Sequence, residues 1–72
     1  MMTAAEIADK WGFWLRDLQP GASYPYSHIR GHYRVPMFSA GALECVQYNR
    51  RGDCTFKMTA LGEEARELAR AP

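Results

Sequence analysis

Two consecutive arginines, Arg50 and Arg51, lie between two segments in which apolar and polar residues alternate. A guanidinium group stays charged at physiological pH and donates hydrogen bonds in a planar fork that matches phosphate and carboxylate oxygens. Arginines on a protruding turn are therefore suited to contact a polyanion or the acidic surface of a protein. Nucleic-acid binding is the leading functional hypothesis from these residues, and a protein partner is the alternative.

Further positive charge lies in the same part of the sequence. Residues 21–58 contain five basic residues against two acidic ones, although the formal net charge of the chain is only +1. The segments before and after this region are both slightly acidic. Such a distribution is typical of a surface that faces nucleic acid, and a solvated surface with a mild imbalance gives the same pattern. The candidate nucleic-acid contacts are Arg30, Arg34, Ser39, Arg50, Arg51 and Lys57.

The alternation around the two arginines predicts a β-hairpin. A register that pairs Tyr48 with Cys54 separates the apolar side chains from the polar ones, and a shift by one residue would break this separation. The same register pairs Val46 with Phe56. It leaves a three-residue loop that ends in Gly52, which supplies the left-handed conformation that such loops need. The predicted apolar face comprises Val46, Tyr48, Cys54, Phe56 and Met58.

Cysteine and histidine side chains are the other groups with chemical potential. In the predicted register Cys45 and Cys54 lie on opposite faces of the hairpin, which excludes the geometry of a disulfide. Their separation also exceeds the two-to-four-residue gap of a structural zinc site, although His28 and His32 have the spacing of one helical face. We therefore expect reduced thiols, no metal and no cofactor. No pair of nucleophile and base is defensible, so the chain is not expected to be an enzyme.

Two helices with clear capping signals are expected to frame the fold. Thr3 and Glu6 have the spacing of a capping box, and the following helix should end before Pro20. Its core-facing stripe is Ile7, Trp11, Trp14, Leu15 and Leu18. Thr59 should cap a second helix over about residues 60–69, with Arg66 and Arg70 at its negative end. The narrow apolar stripe of this second helix is Leu61, Ala65 and Leu68.

One large apolar side chain does not belong to either stripe. Phe13 projects among charged residues on the polar side of the first helix. In a small domain with a thin core, an exposed phenylalanine can mark a contact with a partner or with a second copy of the chain. Phe13 is therefore a candidate partner or dimer contact, and the simpler interpretation is an incidental surface residue.

Between the first helix and the hairpin the pattern is weaker. Pro25 and Pro36 favour two short helices, over about residues 26–33 and 37–43, because proline is tolerated in the first turn of a helix. The segment from Ser23 to Arg34 interleaves aromatic and basic residues. That composition fits a stacking surface for nucleic acid. The favoured interpretation is a short helix that packs Ile29 and Tyr33 inward and leaves the rest on the surface.

The flanks of the hairpin carry two short motifs, Gly41-Ala42-Leu43 before the first strand and Lys57-Met58-Thr59-Ala60-Leu61-Gly62 after the second. Together they resemble the winged helix-turn-helix superfamily, in particular the repressors of the multiple-antibiotic-resistance type. In these proteins a Gly-Leu-Val/Ile step enters the wing, and a Lys/Arg-Leu-Thr-x-x-Gly step leaves it for a helix. The resemblance covers residues 41–68.

That resemblance implies an α+β winged helix-turn-helix fold in the order helix, short helix, short helix, β-hairpin, helix. The second short helix then occupies the position of the recognition helix, where only Ser39 is suited to contact base edges. Contacts to duplex DNA would therefore be mainly to the phosphate backbone, through the hairpin and the short helix.

Length and composition agree with one small domain. Seventy-two residues with 47% apolar content are enough for a single compact core. No apolar run approaches the roughly 18 residues of a membrane span, and no secretory leader is recognisable. We expect a cytoplasmic bacterial or phage protein, a possible dimer, that regulates transcription by binding double-stranded DNA. The alternative is a winged-helix protein-interaction module, such as a phage-encoded modulator of a host complex, without DNA binding.

Overall fold

The computed structural model describes residues 2–48, 50 and 54–71. The described strands form one antiparallel sheet in the order β1–β3–β2, and its long strands β2 and β3 make the expected hairpin. The fold is therefore α+β, as predicted. In chain order the elements are α1 (Ala4–Leu15), β1 (Tyr24–Pro25), a 3-10 turn (Tyr26–His28), α2 (Gly31–Ser39), β2 (Leu43–Tyr48), β3 (Cys54–Met58) and α3 (Ala60–Arg70).

Helix α1 begins with the predicted capping box. The Thr3 hydroxyl accepts from the Glu6 N–H at 3.2 Å, and the Thr3 N–H donates to the Glu6 carboxylate at 3.0 Å. The bond from the Thr3 N–H, and then a bond from the Thr3 hydroxyl to the same carboxylate at 2.9 Å, lower the pKa of Glu6. The helix ends at Leu15, earlier than expected, and the chain continues in turns that still bury Leu18. Of the predicted stripe only Trp14 is less than fully buried.

Helix α3 has the predicted cap and nearly the predicted length. The Thr59 hydroxyl accepts from the Gly62 N–H at 3.0 Å and donates to the carbonyl of Gly41. The predicted stripe is only partly correct, because Ala65 is buried whereas Leu68 is 49% exposed. The buried face of α3 is rotated from the predicted one and consists of Gly62, Ala65 and Arg66.

Arg66 is the buried charged residue of this helix, at 6% exposure. Its Nε donates to the carbonyl of Leu18 at 2.6 Å, and its Nη1 contacts the Glu67 carboxylate at 3.0 Å. Burying a charge is costly unless it is paired and hydrogen-bonded, and both conditions are met here. Arg66 therefore connects α3 to the turn after α1. The sequence had predicted only that it complements the negative end of the helix.

The middle of the chain differs from the prediction. Instead of two short helices over residues 26–33 and 37–43, it contains β1, a 3-10 turn and the single helix α2. Pro36 lies inside α2 rather than at a helix start. A proline inside a helix removes one hydrogen bond, but most helical stability comes from packing, and Met37 is completely buried. Strand β1 was missed because its two residues are too short to produce a pattern.

Helix α2 ends at Ser39 because Gly41, two residues later, can adopt a left-handed backbone conformation. Gly41 has φ of 86°, which glycine adopts without steric cost. Its N–H donates to the carbonyl of Phe38, and the N–H of Ala42 donates to that of Met37, both at 3.1 Å. This pair of bonds is the Schellman motif, which satisfies carbonyls left over at a helix end. The expected continuation of a helix to residue 43 is therefore wrong.

The hairpin register is right at one position and wrong at another. Tyr48 pairs with Cys54 as predicted, but Phe56 pairs with Cys45 instead of Val46. A β-bulge between Cys45 and Gln47 makes Val46 an extra residue, and an extra residue reverses the alternation that follows it. Of the predicted loop, Arg50 is exposed, whereas Arg51 and Gly52 lie outside the described residues.

The core is centred on β3. Phe56 is fully buried, and its ring lies 6.0 Å from that of Trp14, 5.9 Å from Tyr24 and 6.3 Å from Phe38. These three neighbours belong to α1, β1 and α2, so one side chain of the central strand joins most of the fold. The largest fully buried side chains are Phe56, Ile7, Leu15, Leu18, Ile29 and Met37.

Candidate functional site

A groove of about 330 Å³ lies between α2 and the part of the hairpin next to its turn. We call it the α2–hairpin groove. Its floor and walls are mainly apolar and aromatic, with hydroxyl and thiol groups among them. The lining residues are Tyr26, Val35, Phe38, Ser39, Cys45, Tyr48 and Cys54.

Helix α2 forms one wall because of its helical spacing. Phe38 and Ser39 lie three and four residues after Val35, so they share its face of the helix, while Met37 points into the core. Val35 is 70% exposed, and Phe38 is half-buried between the groove and Phe56. The most exposed apolar residue of α2 therefore faces an open cavity.

The hairpin forms the other wall because of the bulge. Cys45 and Tyr48 are three residues apart and would lie on opposite faces of a regular strand. The extra residue Val46 brings both onto the face of Cys54 and Phe56. Tyr48, predicted to belong to a buried face, is 69% exposed. Val46 is 43% exposed and does not line the groove.

The two cysteines lie on one face rather than on opposite faces. This corrects the geometric argument made from the regular register, since both thiols line the same groove. Neither is in a disulfide. The Cys45 thiol donates weakly to the carbonyl of Gln47, at 3.7 Å.

The phenol of Tyr48 is electrostatically connected to Cys45. A hydrogen bond with the Cys45 side chain, followed by the charge of that thiol on ionisation, raises the pKa of Tyr48 above its usual value of 10.0. A raised pKa keeps the phenol protonated throughout the physiological range. Tyr48 therefore presents a neutral hydroxyl at the groove, already hydrogen-bonded to the Cys45 side chain and with an oxygen that can still accept a hydrogen bond.

Arg34 does not line the groove itself but packs against Tyr26, which does. Its guanidinium carbon is 4.3 Å from the centre of the Tyr26 ring, and its Nε donates to the carbonyl of Ile29 at 3.2 Å. The side chain is half-buried as a result. A cation held over an aromatic ring is an attractive arrangement that persists at partly exposed sites.

The other predicted nucleic-acid contacts are scattered. Arg30 is exposed at the start of α2, and Arg50 is exposed beyond the end of β2. Lys57 forms an ion pair with Glu44 at 3.6 Å, on the face of the sheet opposite the groove. Ser39 lines the groove, and Arg51 lies outside the described residues. The structure therefore does not bring all these residues into one continuous basic surface.

Phe13 is exposed, as expected, but it is not isolated. It is 56% exposed, and its ring meets that of Tyr33 edge-on at 6.1 Å. His32 lies against the same tyrosine at 4.1 Å. These three residues form a small aromatic patch between α1 and α2. None of the three lines the groove. The assignment of Phe13 to a dimer or partner contact stays a prediction.

The histidines have aromatic neighbours. His28 stacks on Tyr24 at 4.8 Å, whereas His32 contacts Tyr33. Across residues 2–48, 50 and 54–71, no three or more His, Cys, Asp or Glu side chains are grouped so that they could hold a metal ion. In that same part of the chain, no helix has the length and apolar character that crossing a membrane would require.

Several residues of the groove were not predicted as functional. Val35 and Phe38 have the i, i+3 spacing of one helical face, but this signal requires α2 to be placed across Pro36. Cys45 reaches the groove because of the bulge, and Tyr26 because of the 3-10 turn. No short-range sequence pattern indicates either feature.

Comparisons of the chain with protein-family models, with curated proteins and with solved structures found no match.

Proposed function

We propose that this chain is a winged-helix-like protein-interaction domain and that a protein partner docks on the α2–hairpin groove. The element order, with a hairpin after α2 and a β1–β3–β2 sheet, is compatible with a winged helix in which β2 and β3 are the wing. In that comparison α2 takes the position of a recognition helix. The helix before it is reduced to a 3-10 turn of three residues.

The observation that carries the proposal is the apolar character of this face. Val35 and Tyr48 are 70% and 69% exposed on the two walls of the groove. Protein–DNA interfaces are more polar and much more positively charged than protein–protein interfaces. Exposed apolar surface with a polar rim is instead typical of a site that binds another protein.

The state of the basic residues supports the same conclusion. Lys57 is compensated by Glu44, and Arg34 is held half-buried over Tyr26. Among the described basic candidates only Arg30 and Arg50 are exposed and lack an ion pair with another described residue. Two such cations are few for affinity that depends on phosphate contacts, because each contact contributes through release of condensed counterions.

Duplex DNA is the second candidate, and one observation favours it. Arg30 and Arg50 are exposed, at the start of α2 and beyond the end of β2, the two elements that form the walls of the groove. A small regulator could use these two guanidinium groups on the phosphate backbone without reading base edges. Such backbone contacts agree with the hypothesis, suggested by the sequence, that the chain regulates transcription.

Selection from a displayed library of random 12-residue peptides tests the main proposal. We expect peptides that bind the wild type and lose at least tenfold in affinity for a Val35→Ser/Tyr48→Ser double variant. Both side chains are largely exposed, so the variant should fold normally. Val46→Ser is the matched control, because Val46 is an exposed valine outside the groove. If no enriched peptide distinguishes the double variant from the control, the proposal is wrong.

A titration of labelled duplex DNA tests the second candidate. The proposal predicts no measurable binding at 50 mM salt for the wild type or for Arg30→Ala/Arg50→Ala. Binding that weakens with salt, with a shallower salt dependence by about one to two phosphate contacts in the variant, would instead establish the DNA candidate.

A further inference from the structure

We infer that the α2–hairpin groove takes an acidic peptide segment, in which an apolar side chain enters the groove and a neighbouring carboxylate pairs with Arg34. This inference rests on the proposed protein-interaction function and specifies the chemistry of the partner. It follows from three properties of the groove: a preorganised arginine packed against a lining residue, an apolar cavity of limited size, and a local excess of positive charge.

Arg34 is prepared to bind a carboxylate. The contact with Tyr26 at 4.3 Å and the Nε bond to Ile29 at 3.2 Å fix the plane of its guanidinium. Its Nη groups have no hydrogen-bond partner among the described residues. A guanidinium presents such groups in a fork that matches the two oxygens of a carboxylate. Because the side chain is already ordered, binding has less conformational entropy to overcome.

The size of the groove suits a side-chain anchor. A volume of about 330 Å³ lies at the lower end of the roughly 300–1,000 Å³ found for ligand sites. Val35 and Phe38 offer apolar contacts to an aliphatic or aromatic side chain. The hydroxyl group of Ser39 is available for the backbone of a bound segment, since this residue lines the cavity and is exposed.

Charge decides which kind of segment is favoured. The described acidic residues lie on α1 or just after it, on α3, and at Glu44 on the opposite face of the sheet. Arg34 packs on Tyr26, which lines the groove, and Arg50 follows the strand that carries Tyr48. Such an arrangement attracts an acidic partner and disfavours a basic one.

Binding of three synthetic 12-residue peptides tests this inference. All contain the same central Leu-Phe pair, flanked by aspartates, by asparagines or by lysines. We expect the acidic peptide to bind the wild-type chain about tenfold more tightly than the neutral one, with the lysine peptide weakest. The difference should shrink as salt rises, because exposed charges are screened. Equal affinities for the three peptides would overturn the inference.

Variants of the two arginines locate the effect. Arg34→Lys keeps the charge but loses the fork, so the acidic peptide should bind about tenfold more weakly, as expected for a lost charge-assisted hydrogen bond. Arg50→Glu should weaken it roughly three- to fivefold, within the range of exposed ion pairs. Arg16→Glu, which makes the same charge change at the end of α1, is the control and should have little effect. If Arg34→Lys fails to fold, the test is the comparison of Arg50→Glu with Arg16→Glu. Equal affinity of these two variants for the acidic peptide would contradict the inference.

The results separate this inference from the proposed function. If library peptides depend on Val35 but show no preference for acidic flanks, the partner chemistry is wrong while the docking function stands. If no peptide depends on Val35, the docking function itself is wrong. Displacement of the acidic peptide by duplex DNA at equal phosphate and carboxylate concentration would show a general anion surface and would also overturn the peptide assignment.

Discussion

Arg66 shows how one charged side chain can hold two elements together. It is buried at 6% exposure and bonds to the carbonyl of Leu18, 48 residues earlier in the chain. Arg70, one turn later, has a half-exposed side chain that contacts Glu67 at 3.6 Å. Residue type and helical position are similar for both arginines. Only the packing of α3 against the end of α1 makes them different.

This difference predicts unequal effects of truncation. Arg66→Ala should lower the free energy of unfolding by about 2–3 kcal/mol, because a charge-assisted hydrogen bond and buried packing are lost. Arg70→Ala should change it by less than about 0.5 kcal/mol, as is usual for a surface ion pair. Urea denaturation followed by tryptophan fluorescence measures both. Similar effects of the two substitutions would contradict a structural role for Arg66.

Residue-level features with local partners were predictable. The capping box of Thr3 and Glu6 and the cap formed by Thr59 each join residues three positions apart, so the sequence contains both partners. The bond of Arg66 to Leu18 and the placement of Cys45 in the groove depend on distant segments. Spacing within the sequence could not indicate them.

At the scale of elements, the start of α3 is packed against the turn after α2. A Cβ atom at Gly62 would lie 2.1 Å from the carbonyl oxygen of Ala42, a distance that requires the backbone to move. The glycine of the Thr-x-x-Gly step therefore has a steric reason to be there. Gly31, at the start of α2, has nothing within 4 Å of such an atom.

Two alanine substitutions test this contact. Gly62→Ala should destabilise the domain by about 1–3 kcal/mol, because overpacking outweighs the better helix propensity of alanine. Gly31→Ala should be neutral or slightly stabilising, since alanine fits there and restricts the unfolded chain. Thermal unfolding by circular dichroism provides the comparison. A stabilising Gly62→Ala would mean that the turn and the helix are not in contact.

The elements themselves were predictable to different degrees. Both terminal helices and the hairpin have long patterns and strong caps, and all three were found. Helix α2 was divided in two because Pro36 normally marks a boundary, whereas burial of Met37 stabilises a continuous helix. The bulge at Val46 was missed because a bulge depends on how two strands pair. The sequence of one strand alone does not indicate it.

At the scale of the whole molecule, Phe56 connects the layers of the core. Its ring lies about 6 Å from those of Trp14, Tyr24 and Phe38. A domain of this size has a total stability of only about 4–11 kcal/mol. A single central side chain therefore accounts for a large part of what keeps the chain folded.

Phe56→Ala should consequently remove most of the stability. The expected loss is about 3–5 kcal/mol, the usual cost of truncating a buried phenylalanine. Phe13→Ala, at a side chain that is 56% exposed, should cost less than about 1 kcal/mol. Denaturation curves of the two variants measure this, and sedimentation of Phe13→Ala beside the wild type also tests the predicted dimer contact. A mild effect at Phe56 would contradict a single cooperative core.

The sequence by itself determined the α+β class, the caps, the two terminal helices and the existence of a hairpin, because these depend on patterns within a few residues of each other. The tertiary structure alone decided which side of α3 is buried, how β2 is bulged against β3, and that α2 and the hairpin enclose an apolar groove beside Arg34. Those features arise where segments distant in sequence pack together. Their energies depend on shape and burial, which local spacing does not encode.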